Sequence, residues 1–144
     1  MRHWVWRGQR PELRITRTHG QDAHPDFAGI IDEFRIDGFR LQESVLLYRP
    51  AHTLVVADLV HNVGRPRGAW SKFYTRAMGF YDRVALSRMI RWTAFSDPAG
   101  VRRSVDQLSV LPFDRLIVGH GTPLQTGGKE AIAEAFRWLP PERS

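Results

Sequence analysis

Asp58 and His120 are the residues of this chain best placed to do chemistry. Each follows a short apolar run: Thr53-Leu54-Val55-Val56-Ala57 leads into Asp58, and Asp114-Arg115-Leu116-Ile117-Val118-Gly119 leads into His120. Runs of this length and type read as buried strands. If the two strands lie in one sheet and point the same way, the carboxylate and the imidazole emerge at the same edge. The carboxyl ends of strands are where open α/β sheets gather their chemistry, and carboxylate plus imidazole is a metal-ligand vocabulary. Gly119 and Gly121 flank the histidine and permit close backbone approach or positive φ, so the imidazole is expected to be aimed rather than packed. The structural alternatives are an Asp58 that orders its own loop through an Asx turn and a His120 hydrogen-bonded to backbone. His61, three residues after Asp58, is a candidate auxiliary ligand, weighed against an ordinary loop histidine.

The elements that must position these residues follow from periodicity and turn chemistry. Residues 1–30 carry little pattern. Leu13-Arg14-Ile15-Thr16 alternates as a short strand would, and residues 25–33 suggest a helical turn. Phe34-Arg35-Ile36-Asp37-Gly38-Phe39 alternates at period two and breaks at Gly38. Ser44-Val45-Leu46-Leu47-Tyr48 is a strand, Arg49-Pro50-Ala51-His52 a turn, and Thr53 to Ala57 the return strand of a hairpin. Both hairpin strands are apolar without alternation, which predicts cover on both sheet faces. Trp70, Phe73, Tyr74, Ala77 and Met78 recur at helical spacing up to Gly79, and Leu86, Met89, Ile90 and Trp92 mark a second helical piece. At that spacing such residues are more often core than pocket, although Trp70, Phe73 and Tyr74 also stand where they could line the mouth of a site. Asp97-Pro98 is a helix start, Val101, Val105 and Leu108 form its apolar stripe, and Pro112 ends it. A last helix carries Ala131, Ile132, Ala135, Phe136 and Leu139 and stops at Pro140-Pro141. Strands followed by helices, with one strand returning after a helix, predict an α/β layer arrangement with a mixed sheet and flanking helices.

The composition is that of one globular domain over residues 1–144. The chain has no cysteine, which removes disulfides, thiolate catalysis and Cys-type zinc sites. No apolar run approaches the ~20 residues that cross a bilayer, and no signal-peptide pattern is present. The expectation is a cytoplasmic protein without a membrane partner. The net charge of +6 comes almost wholly from arginine. Arg on solvated faces is the preferred explanation, and a polyanion-binding surface is the competing one.

Two longer patterns add a resemblance. Glu43 opens the stretch Glu43-Ser44-Val45-Leu46-Leu47-Tyr48-Arg49-Pro50-Ala51-His52-Thr53-Leu54-Val55-Val56-Ala57-Asp58-Leu59-Val60-His61-Asn62, and Asp114 to Pro123 reads Asp-Arg-Leu-Ile-x-x-His-Gly-x-Pro. From Gly38 to the last helix the chain resembles the C-terminal half of a metallo-β-lactamase-fold protein. It is most similar to a branch with an acidic residue, an apolar strand, Arg-Pro-Ser/Ala-x-Thr-Leu-Ile/Val-Val-x-Asp-Leu and then an aromatic residue and Asn. Arg10-Pro11-Glu12-Leu13 resembles that branch's lead-in. The resemblance implies half of an αββα sandwich, a metal-bridging role for Asp58 and ligation of the second ion by His120. It also implies hydrolysis by a zinc- or iron-activated hydroxide, because a bound cation lowers the pKa of water. Glu43 at the branch's acidic position implies a carboxylate that orients a ligand from outside the coordination sphere. Its alternative is a strand-start carboxylate paired with an arginine.

The superfamily's first ligand cluster, His-x-His-x-Asp-His, has no counterpart here. His19-Gly20-Gln21-Asp22-Ala23-His24 has the wrong spacing, and residues 38–42 lack the histidine usual at that point. The expected activity is therefore a metal-dependent hydrolase with an incomplete site, its small-molecule substrate unknown. The alternatives are a non-catalytic structural or interaction remnant and an Arg-rich nucleic-acid binder. A chain that is half of a two-sheet sandwich exposes apolar sheet surface, which predicts a homodimer unless the segment with Trp4, Val5 and Trp6 covers it.

Overall fold

A computed structural model describes residues 27–140 apart from Gln42 and Phe80. The alternating segment at Leu13, the lead-in at Arg10, the aromatic segment at Trp4 and the rejected His19 cluster lie outside the described residues.

Four strands form one mixed sheet in the order β1-β2-β3-β4. They are β1 (Ile31–Arg35), β2 (Ser44–Tyr48), β3 (Thr53–Val56) and β4 (Arg115–Val118). β1 pairs antiparallel with β2, and β2 antiparallel with β3. β3 and β4 run parallel, with Val56 opposite Val118. The hairpin turn is a short 3₁₀ segment, Arg49–Ala51, closed by His52 in the left-handed region at φ 49°. The described residues are thus α/β, with four α-helices among them: α1 (Ala69–Met78), α2 (Arg88–Thr93), α3 (Pro98–Ser109) and α4 (Gly128–Phe136).

The core lies on one face of the sheet. The register aligns Leu47, Leu54 and Leu116 across three strands, and all three are fully buried. They join Val101, Val105 and Leu108 of α3 and Ile132, Ala135 and Phe136 of α4 in a single cluster. The start of α3 is fixed by the Asp97 carboxylate, which accepts the Ala99 amide at 3.1 Å, with Pro98 in the first turn. That cap satisfies an amide no helical carbonyl can reach.

Three expectations are corrected. The first strand begins at Ile31 and ends at Arg35, so residues 31–33 are extended rather than helical and Phe39 lies beyond the strand. Antiparallel pairing with Tyr48 through Ser44 recruits Ile31, Asp32 and Glu33, and tertiary pairing outweighs local preference. The hairpin's expected cover on both faces is found along β3, where Thr53, Leu54 and Val56 are buried and Val55 half-buried, but not along all of β2. Val45 and Leu47 are buried, Leu46 is half-buried and Tyr48 is exposed. Finally, the aromatic stripe of α1 is not core. Trp70, Phe73 and Tyr74 are exposed, and the helix's one buried residue is Thr75. The same helical period that predicts the helix leaves open which face turns inward.

Candidate functional site at the carboxyl edge of the sheet

The parallel register carries both chains of the β3–β4 pair to one edge, and two residues beyond the Val56–Val118 pair stand Asp58 and His120. Their side chains meet, with Asp58 Oδ1 3.4 Å from His120 Nε2. Glycine makes that approach possible: a Cβ on Gly119 would sit 2.6 Å from the Ala57 carbonyl oxygen. Gly121 has φ 116°, and any side chain there would collide with the Asn62 carbonyl.

Residues 59–63 are laced to the same edge. The Asn62 amide donates to the His120 carbonyl at 2.9 Å, and the Thr122 amide donates to the Asn62 carbonyl at 2.8 Å. Asn62 Nδ2 donates to the Thr122 carbonyl at 2.6 Å. His61 and Ala85 exchange two backbone bonds of 3.0 Å. The result places the His61 ring edge-on to the His120 ring, centroids 5.1 Å apart. Burial holds His61 below the ordinary imidazole range, the neighbouring His120 adds to that, and Asp58 opposes both. A neutral imidazole is the ligating form.

Glu43 sits beneath this edge, immediately before β2, and is buried. One carboxylate oxygen accepts the Ala57 amide at 2.7 Å and the other accepts the Asp58 amide at 3.0 Å. The clamp pins the backbone where β3 ends and Asp58 begins. Burial pushes the Glu43 carboxyl up to about 7; the two amides that it accepts oppose the rise, and the Asp58 charge adds to it.

Sequence reasoning placed Asp58 and His120 at one edge, and the geometry brings them together with His61 and with Glu43 beneath. It assigns no role to Asn62 and Thr122, which tie the two loops; the Asn that closes the stretch from Glu43 is the signal for the first. Among the described residues, no group of three or more His, Asp or Glu side chains stands ready to hold a metal ion.

The pair itself is of the right kind and spacing for two ligands of one cation. Two donors bound to a tetrahedral zinc at about 2.1 Å stand about 3.4 Å apart, the separation observed. The side chains are 48% and 65% exposed, and a polar contact so exposed adds little stability. No family model matches the sequence, and no curated protein matches it.

Proposed function

We propose that this chain carries the carboxylate and imidazole half of a metallo-β-lactamase-type hydrolase site and corresponds, over residues 1–144, to the C-terminal half of that αββα fold. The observation that carries this reading is the Asp58–His120 contact at adjacent parallel strand ends, at a ligand-to-ligand distance. Asp58 and His120 would hold a zinc or iron ion, with His61 as auxiliary donor. The ion would supply a water of lowered pKa for hydrolysis at neutral pH. The chain's own residues do the positioning. Glu43 fixes the Asp58 backbone, Gly119 and Gly121 let the His120 loop close against β3 and Asn62, and burial keeps His61 neutral.

A second reading is a non-catalytic interaction module on the same fold. Metal analysis separates the two: purified chain incubated with zinc retains it in stoichiometric amount, and Asp58→Ala or His120→Ala loses it. Wild-type chain that retains none supports the second reading.

The homodimer belongs to this proposal. The sheet face opposite the helices carries Leu46, Val55 and Ile117 in one cross-strand row, with Ile117 and Tyr48 exposed. A second copy stacked there would complete a two-sheet sandwich. Light scattering reads this directly, with Ile117→Lys expected to shift dimer to monomer; a wild-type monomer at high concentration removes the dimer. The cysteine-free composition is in keeping with a cytoplasmic setting, and among the described residues no helix is long and apolar enough to cross a membrane.

A further inference from the structure

The helical block after the site is built inside out. In α1, Trp70, Phe73, Tyr74 and Ala77 share one stripe at helical spacing, and all four are exposed. The buried residue, Thr75, is a polar side chain on the opposite side, whose hydroxyl donates to the Ser71 carbonyl at 2.9 Å. Thr75 and the half-buried Met78 meet the protein, while the aromatic rings turned outward form an exposed apolar patch of the kind a partner covers. Trp70 is 75% exposed, its ring against that of Phe73 with centroids 5.7 Å apart. The next helix, α2, adds Met89 and an 87% exposed Trp92.

Charge says what kind of partner this is. Residues 64–93 hold seven of the chain's 21 basic side chains and one, Asp82, of its 15 acidic ones. That leaves fourteen of each sign for all other residues, so the whole net charge of +6 resides in this block. Asp82 is engaged by Arg65 at 2.6 Å. Lys72 and Arg76 stand on α1 itself and are exposed, as is Arg67 just before it. The cations crowd one another: after burial, the like charges of Arg83 and Arg88 push Arg91 below the ordinary guanidinium range. Pairing this block with a second copy would set +6 against +6.

We propose that α1 and its flanking cations form a peripheral docking surface for an anionic lipid bilayer, with the aromatic stripe in the headgroup layer. An interfacial helix has this plan, apolar residues on one face and Lys or Arg beside them. Trp and Tyr favour the membrane interface, and each nearby Lys or Arg adds attraction to acidic headgroups. A nucleic-acid surface would instead centre its cations on the phosphate track with aromatics interspersed; here Trp70, Phe73, Tyr74 and Ala77 gather on one stripe, with Arg67 before the helix and Lys72 and Arg76 on its other sides. Such a helix lies in the surface and needs no spanning length. The expectation of no membrane partner, which rests on span length, therefore does not reach it.

The test is vesicle flotation of the full chain with phosphatidylcholine vesicles, with and without phosphatidylglycerol, read alongside tryptophan fluorescence. The expected result is capture by the anionic vesicles with a blue shift, and little capture by phosphatidylcholine alone. Trp70→Ser with Phe73→Ser is expected to weaken capture about tenfold or more, and Arg67→Glu with Lys72→Glu by at least as much. Circular dichroism should stay unchanged for both pairs, because the positions are exposed. Asp58→Ala should dock as wild type does, which keeps this outcome separate from that of the metal site. Equal capture by both vesicle types, or none by either, overturns the proposal. So does binding of single-stranded DNA or RNA without vesicle binding, or a dimer dissolved by the Trp70 and Phe73 changes.

Discussion

The edge of the sheet and the helical block beyond it are joined by a few residues yet are built on opposite plans. At the edge, polar groups face one another. Glu43 holds two amides, Asn62 and Thr122 cross-link the loops, and Asp58 touches His120. The backbone is so close there that two glycines are required. In the block, α1 lays one polar residue on the protein and gives its rings to solvent. The contrast is that close placement at the edge serves two side chains whose mutual contact adds little stability, while α1 leaves its aromatic rings exposed. On the proposed reading, the first arrangement would prepare a ligand pair, since donors must be fixed by their surroundings before they can select an ion, and the second would leave a docking face available.

Substitutions should break this contrast in graded fashion. The largest effect is expected at the edge itself. Gly121→Ala forces a side chain into the Asn62 carbonyl at φ 116°, and should cost about 3 kcal/mol or more in chemical denaturation from clash and strain together. A loss under ~0.5 kcal/mol would mean that the two loops are not locked. Leu108→Ala in α3, fully within the core, should cost about 2–5 kcal/mol by the same measurement.

Glu43 gives a pH signature of similar size. Its folded-state carboxyl sits at about 7, above the ordinary 4.5, so the folded protein binds the proton more tightly than the unfolded chain does. Stability should therefore be highest below the ordinary value and fall as pH rises from about 4.5 to about 7, by roughly 3 kcal/mol across the window. Glu43→Gln should flatten that slope. His61 works in the opposite sense. Its lowered value means that stability attached to it is retained above the ordinary imidazole range and lost as pH falls below about 6.5. His61→Gln should remove that smaller acid-side loss. The smallest effect belongs to the block: Phe73→Ser, at an exposed position, should change stability by no more than about 0.5 kcal/mol. A loss of 2 kcal/mol would show that the stripe packs on the protein after all.

Much of the edge was legible in the amino-acid order. The apolar runs before Asp58 and His120, with Pro50 in the turn and the glycines around His120, suffice to expect two strand ends with a carboxylate and an imidazole. The parallel pairing of Val56 with Val118 supplies their contact. Residues 31–33 were not legible as strand, because their pairing partners lie across the hairpin and local preference is silent about them. The orientation of α1 was hidden for a different reason. Period 3.6 shows that Trp70, Phe73, Tyr74 and Ala77 share a face, and it is mute about whether that face meets the core or the solvent. The clustering of charge in residues 64–93 was readable from composition taken by segment; a whole-chain total of +6 conceals it.

The central claim is that Asp58 and His120 are two ligands of one metal ion. Isothermal titration of the full chain with zinc at neutral pH tests it most directly, with Asp58→Ala and His120→Ala in parallel. The account predicts saturable binding in the wild type, at least about tenfold weaker in either variant and fading in all three as pH falls below the imidazole range. Binding of equal strength in all three proteins, or no binding in any, would contradict it.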